Sequence, residues 1–584
     1  MSAAPASPAL TVPATPWWHL YVPKMYTVLR EGYSPRTFRD DFIAALTVAI
    51  VAIPLSMALA IASGATPDKG LITVVVAGML ISLLSGSRYQ VGGPAGAFVV
   101  IVFNIIQTHG YDGLVLATLM AGAIMVVAGL ARLGSWIRYI PQPVITGFTS
   151  GIALIIFSSQ IGDVFGLTAK SPGNFIGEWT TYWQARDTFT PDAALISGGS
   201  LAIIILLRRF APKLPGLLIA VGTAAIAAWA LKLPVATIGS VFGGIPHTLP
   251  APHWPQVTMT RVKELIPSAF TIAFLSSLES LLCAVVADGM TGRRHRSNCE
   301  LVGQGIANFF SALFGGMPAT GTIARTATNI RAGAKTPVAG VLHATIVLLC
   351  MMLFAPLASY IPLASLGAVL VMVAWNMSER EKFYMLLRGP RGDALVLLVT
   401  FGLTVFVNLT TAIGAGVVMA AMLFMHRMAQ AVQITTGAPF FQSEFDDFAT
   451  PHAGENDDLR RQLPPGVEAF QVQGPLFFGV AAQFIDALDL IKPAPKIFIL
   501  RMSQVPIIDS SGVVALEEFI HRCHKQGTKV ILSGVRAPLV KILHEMEVSH
   551  RLGGIIFAET FTAALTKARH MLANDPVRLK THGH

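Results

Sequence analysis

The sequence predicts a polytopic α-helical membrane protein of 14 spans, arranged as seven-plus-seven inverted repeats, followed by a small cytoplasmic α/β domain. Three observations carry this reading. The 584 residues are 53% hydrophobic and 13% charged, with mean hydropathy +0.61, whereas a soluble domain carries about 25% charge. Two short glycine-rich segments, Val91-Gly92-Gly93-Pro94-Ala95-Gly96-Ala97-Phe98 and Gly315-Gly316-Met317-Pro318-Ala319-Thr320-Gly321-Thr322, lie in matching positions of the two halves of the apolar region. After Arg427 the chain turns polar and alternates strand-like with helix-like runs.

Apolar spans fall at 41–62, 71–85, 91–107, 114–133, 143–162, 192–209, 215–231, 262–287, 298–314, 318–331, 337–355, 361–378, 392–409 and 410–431. Several are shorter than the ~20 residues of a plain crossing. Short spans are tolerable where protein or a cavity satisfies their backbone. An even count puts both termini on one side. Lys and Arg support that count. Alternate loops and the N-terminal flank hold about 20 of them, among them Arg88, Arg132, Arg208, Arg293, Arg380 and Lys24. The opposite loops hold about 6: Lys69, Lys170, Arg186, Lys232, Arg261 and Lys263. This asymmetry predicts cytoplasmic termini. It also assigns the net charge of +10 to membrane orientation rather than to nucleic-acid binding. A cut near residue 245 leaves seven spans on each side, and an odd number per half forces inverted orientations.

The expected domains are a cytoplasmic segment 1–40, a transporter domain 41–435, a linker 436–465, an α/β domain 466–575 and a tail 576–584. Residues 1–16, rich in Ala and Pro, lack the basic start and apolar core of a signal peptide and read as a flexible tail. In the α/β domain, Val467–Val472, Lys496–Leu500 and Thr528–Ser533 read as strands. Gly512–Cys523 and Ala537–Glu547 read as helices. Cys283, Cys299, Cys350 and Cys523 have neither the spacing of a metal site nor the setting of a disulfide framework. No cofactor or metal is expected, and no nucleophile–base pair suggests an enzyme.

The two proline-containing segments are the expected binding site. Interrupted helices in matching halves are the sequence pointer to a transporter site, and helix N-termini suit an anion. Placing Pro94 and Pro318 at first helical positions puts Gly96, Ala97 and Phe98 at one helix start and Thr320, Gly321 and Thr322 at the other. Arg325 then lies about two turns inside its span. It either attracts the anion or snorkels to the cytoplasmic face. Ser56 follows the mid-helix Pro54 and is either a ligand-facing hydroxyl or a packing residue. Glu279, in Phe274-Leu275-Ser276-Ser277-Leu278-Glu279, is an ionisable group inside a span and therefore a functional candidate. It can exchange a proton, or it can be a structural carboxylate paired with a basic residue or with backbone donors. In the soluble domain, Asp509, Ser510 and Ser511 stand at a strand-to-helix junction. They read as a helix cap or as a phosphate-accepting turn.

Together these segments resemble the SulP anion transporters. The carrying residues are Pro54-Leu55-Ser56-Met57-Ala58, Gly93-Pro94-Ala95-Gly96-Ala97-Phe98, Glu279 with Ala287-Asp288-Gly289, Gly303-Gln304-Gly305-Ile306-Ala307-Asn308, and Pro318-Ala319-Thr320-Gly321 followed by Ala324-Arg325-Thr326-Ala327-Thr328-Asn329. The tail resembles a STAS domain through Pro475-Leu476-Phe477-Phe478-Gly479 and Ile508-Asp509-Ser510-Ser511-Gly512. The resemblance implies a core domain moving against a gate domain, an anion held between the starts of spans 3 and 10, and a homodimer in the bacterial inner membrane. It also implies a STAS domain open to a cytoplasmic partner.

Leu55 replaces the Gln of many relatives. Glu279 and Cys283 stand where sodium-coupled bicarbonate members have Asp and Thr. Loss of a hard oxygen ligand weakens a sodium site. The expected function is secondary active transport of a small anion, a sulfate-class oxyanion or a carboxylate, coupled to protons. The alternatives are an uncoupled exchanger or channel, or a sodium-coupled bicarbonate transporter.

Overall fold

The computed structural model describes residues 17–135, 141–168, 174–211, 214–430, 433–436, 463–476, 494–546 and 556–573. The tail 1–16, most of the linker 436–465, Phe477-Phe478-Gly479 of the soluble domain and the segment 576–584 lie outside the described residues. The chain divides into two compact units, Met1–Ala420 and Ala421–His584.

In the first unit, the fourteen expected spans all coincide with helical segments. These are α1 (Pro35–Ala62), α2 (Pro67–Leu84), α3 (Val99–Leu130), α4 (Gln142–Ser159), α5 (Pro191–Phe210), α6 (Gly216–Ala230) and α7 (Met259–Thr291). They continue with α8 (Ser297–Leu313), α9 (Ile323–Arg331), α10 (Val338–Ala358), α11 (Leu363–Met377), α12 (Arg391–Phe406) and α13 (Leu409–Gln430), which runs across the unit boundary. The third and fourth spans share α3, which breaks at Gly110, where φ is 71°. That left-handed conformation is open to glycine at little cost. Among the described residues, eight helices are long and apolar enough to cross a membrane.

Local chemistry starts and ties these helices. Ser34 caps α1 by accepting from the Thr37 N–H, and Pro35 occupies the first turn. Asp41, fully buried near the start of α1, accepts from the backbone N–H groups of Lys335 and Thr336 at 2.7 and 3.1 Å. It thereby anchors the turn before α10 to α1. Among the described residues, three unforeseen helices of eight or more residues, Lys24–Glu31, Phe175–Gln184 and Arg380–Leu387, lie outside the expected spans. The first is held to the main body by Arg296, which donates to the Val22 carbonyl at 2.6 Å and to Thr27 Oγ1 at 3.1 Å. Its Glu31 pairs with Arg88, and that hydrogen bond holds the Glu31 carboxyl below its usual range.

Before α3 and α9 the chain is extended rather than helical. Gly92–Gly93 (β1) pairs antiparallel with Thr320–Gly321 (β2), with Gly92 opposite Gly321 and Gly93 opposite Thr320. The two matching segments therefore meet at a two-residue crossing. Pro94 and Pro318 do not start helices, contrary to the sequence-based expectation. A 3-10 turn, Gly96–Phe98, leads into α3, and α9 begins only at Ile323.

The second unit is a five-stranded sheet in the order β3-β4-β5-β6-β7. Its strands are β3 (Gln433–Thr436), β4 (Val467–Gln473), β5 (Ile497–Gln504), β6 (Lys529–Ser533) and β7 (Ile556–Ala558), parallel from β4 onward. Its helices are α14 (Ser510–Lys525), α15 (Ala537–Glu545) and α16 (Phe561–Ala573). Side chains alternate along the strands. Phe470, Phe498, Leu500 and Leu532 pack with Phe519 and Leu539, while Ala469, Ile499 and Ile531 pack with Ala564 and Ala568 of α16.

Candidate anion site

The crossing and the helices packed around it build the site. α9 begins at the crossing, so Arg325 sits in its first turn and not two turns inside. The side chain is 2% exposed and points inward, which rules out the snorkelling geometry. Its Nη2 donates to Ser56 Oγ of α1 at 3.0 Å and to the Pro94 carbonyl at 3.4 Å. Its Nε and Nη1 have no hydrogen-bond partner. Orphaned donors on a buried cation are costly and chemically ready for an anion.

Glycine is required at the crossing for close approach of side chains. A Cβ on Gly93 would stand 2.1 Å from Arg325 Nη1, and one on Gly321 would stand 1.5 Å from Gln90 Nε2. Gln90 Nε2 donates to the Ser280 carbonyl at 3.2 Å and to Ser280 Oγ at 2.8 Å, tying the crossing to α7. Small residues can let a ligand approach backbone N–H groups. At these two positions the space is taken by protein side chains.

A cavity of about 480 Å³ lies beside the crossing. Gly96, Ala97, Thr322, Arg325 and Glu279 line it. The other expected residues stand behind its wall. Ser56 is fully buried, donates to the Ala52 carbonyl at 2.6 Å and holds Arg325. Phe98 is 1% exposed in the core. Thr320 Oγ1 donates to the Ser276 carbonyl at 3.0 Å, and Gly321 lies in β2. Thr322 Oγ1 donates to the Val91 carbonyl at 3.3 Å.

Among the described residues Glu279 Oε2 is buried without a hydrogen-bond partner, and no ion pair joins the carboxylate to Arg325. Among these residues, pairing with a neighbouring base therefore lacks its base. Cys283, one turn on, places Sγ 3.2 Å from Thr326 Oγ1, and that hydroxyl accepts from the Val91 N–H.

Sequence reasoning missed the opposite wall. Gln142 and Thr149 of α4, Asn376 and Met377 of α11, and Lys382 with Glu379 also line the cavity. Lys382 Nζ and Glu379 Oε1 pair at 3.0 Å. These positions belong to spans and to a connecting helix without a glycine-proline signal, and only tertiary packing brings them to the site.

In the second unit, Asp509 Oδ1 accepts from the Gly512 N–H at 2.7 Å and caps α14. Ser510 and Ser511 are exposed in its first turn. Asp509 is therefore the cap of the earlier reading, and Ser510 and Ser511 are exposed beside it.

The profile of the sulfate permease family matches residues 38–400, and that of the STAS domain matches 459–563. The chain is 41% identical over 90% of its length to "Putative sulfate transporter YvdB" of Bacillus subtilis, covering 96% of that protein. It is 28% identical over 88% of its length to the bicarbonate transporter BicA of a Picosynechococcus strain, covering 92% of it. The solved structure of the murine Solute Carrier 26 family member A9 anion transporter in the inward-facing state matches with TM-score 0.83 at 19% identity over 96% of each chain, a likeness of fold. From its family profile, its 41% identical relative and its fold, the chain belongs to the sulfate permease family of multi-pass membrane transporters, with a STAS domain following the membrane part.

Proposed function

We propose that this protein is a secondary active transporter of a small anion, a sulfate-class oxyanion or a carboxylate, coupled to protons through Glu279. The observation that carries the reading is Arg325: a buried guanidinium with two unpartnered nitrogens at the wall of a cavity large enough for such an anion. The first-turn N–H groups of α9 supply further donors, since a helix start leaves its first N–H groups unbonded. Glu279 supports proton coupling. A carboxylate without a cation in a membrane helix is costly, and a proton removes that cost. Sodium coupling is disfavoured by Cys283, a thiol already engaged with Thr326 where a hard oxygen ligand would be needed.

Motion of the two walls past each other then exposes the site alternately. The protein works as a homodimer in the bacterial inner membrane with cytoplasmic termini, and the STAS domain, with Asp509, Ser510 and Ser511 at an exposed helix start, regulates it. The test is uptake into proteoliposomes of sulfate, bicarbonate, chloride and a dicarboxylate, each with an imposed proton or sodium gradient. Concentrative uptake of sulfate or dicarboxylate driven by an inward proton gradient is expected. Uptake driven by sodium alone, or equilibration without concentration under either gradient, overturns the reading.

A further inference from the structure

A second cavity, of about 820 Å³, lies between α1, α6 and α10 on the far side of α1 from the anion site. Its lining holds no charged residue and no Ser, Thr, Asn or Gln. Apart from the Cys350 thiol and the polar tips of Trp229 and Tyr360, it is hydrocarbon and aromatic. Such a space does not hold water; it stays dry and accepts an apolar guest. Its walls run along α6 from Leu218 to Trp229 and along α10 from Val347 to Ala358. Eleven residue steps of helix measure about 17 Å. One leaflet of the hydrocarbon core measures about 15 Å. The cavity therefore has the length of a single lipid tail.

Its end is marked as a membrane interface. Trp229 and Tyr360, 66% and 50% exposed, stand there as an aromatic belt would. Lys232 follows three residues after Trp229, exposed, past the last residue of α6. A cation at headgroup level attracts an anionic lipid.

We propose that this groove holds one acyl chain of an anionic glycerophospholipid, with its phosphate near Lys232. The chain packs against Ile53 and Met57 of α1, and Met57 neighbours Ser56, the residue that holds Arg325. The lipid thus fills the space behind the helix that supports the anion site.

The test uses the full-length protein in vesicles of phosphatidylglycerol or of phosphatidylcholine, each doped with the same phospholipid carrying a photoactivatable acyl chain. Crosslinks at Ala225, Cys350 and Phe354, which are accessible in the groove, are expected at least tenfold above those at Leu195, which is exposed on α5. A Cβ at Gly222 meets nothing within 4 Å, so Gly222→Trp fills the groove and should cut its labelling at least fivefold, while Gly222→Ala leaves it. Labelling from phosphatidylglycerol should exceed that from phosphatidylcholine about threefold, and Lys232→Gln should erase the difference. Groove labelling no higher than at Leu195 in the wild-type protein overturns the proposal. So does unchanged labelling in a Gly222→Trp protein that elutes as wild type. Equal labelling from the two lipids in the wild-type protein overturns the headgroup assignment.

Discussion

The segments that meet at β1 and β2 are alike in sequence and unequal in what they contribute. Both pass from glycine through an extended stretch into a helix. The first gives the cavity Gly96 and Ala97, small residues with no side-chain chemistry. The second gives Thr322 and then Arg325, a hydroxyl and a cation. Its partner glycines differ in the same way: Gly93 makes room for the guanidinium, whereas Gly321 makes room for Gln90, which ties the crossing to α7. The inverted repeat duplicates the scaffold and places the charge once. On the proposed function, the first segment shapes the cavity and the second supplies the binding groups.

The largest effect should come from breaking the crossing at Gly321. Any Cβ there overlaps Gln90 Nε2, and expelling Gln90 leaves buried groups of Ser280 and Gln90 unpaired, at about 1–3 kcal/mol each. Gly321→Val should therefore lose folded protein, seen as aggregation in size exclusion or a collapsed thermal transition. Gly93→Ala tests the other side of the crossing. Its Cβ displaces Arg325 Nη1, so anion affinity should fall while the protein remains folded. Equal loss of fold in both would mean that the two glycines do the same job.

Next in size is the charge itself. Arg325→Ala removes hydrogen bonds to a charged group, worth about 1.5–3 kcal/mol each, so the dissociation constant for the substrate anion should rise on the order of 10- to 100-fold. Arg325→Lys should retain more affinity because the charge stays, though without the forked geometry. Near-wild-type affinity in both variants, measured by isothermal calorimetry, would leave the second segment no more than a scaffold.

Much of this was legible in the sequence. Apolar runs and Lys/Arg asymmetry locate all fourteen helical segments because burial in lipid imposes composition on every residue of a span. The glycine-proline pairs locate the crossing. The misplaced helix starts have a simple cause. Pro94 and Pro318 suit a first helical turn locally, but a two-residue strand pairing, with no periodicity to read, overrides that preference. The error moved Arg325 from the first turn to the second. In the soluble domain β7, three residues long, is too short to alternate visibly. The wall containing Thr149, Asn376 and Met377 was illegible because ordinary apolar spans supply it.

A smaller effect tests coupling rather than binding. Glu279 lines the same cavity as Arg325 but comes from α7, outside both crossing segments. Glu279→Gln keeps the shape and removes the titratable group. Uptake should lose its dependence on a pH gradient while equilibrium anion binding changes by no more than about threefold, below the 1.4 kcal/mol that corresponds to tenfold. Retained proton-driven accumulation in the variant would move the coupling group elsewhere.

The smallest effect should come from Ser56. Its hydroxyl accepts from Arg325 Nη2 at 3.0 Å and donates to the Ala52 carbonyl at 2.6 Å, both inside the core. It does not line the cavity, so it acts on the anion only by aiming the guanidinium. Ser56→Ala leaves the charge, the crossing and the cavity lining in place and removes one hydrogen bond to Arg325. A bond to a charged group is worth about 1.5–3 kcal/mol, and only the part of it that aims the guanidinium reaches the anion, so the dissociation constant should rise about fivefold. The double variant with Arg325→Ala separates aiming from direct contact. If Ser56 works through Arg325, the serine substitution costs nothing further once the arginine is gone, because interacting sites are not additive. An independent, fully additive loss would instead place the Ser56 hydroxyl on the anion itself, and the first half of the molecule would then bind as well as shape.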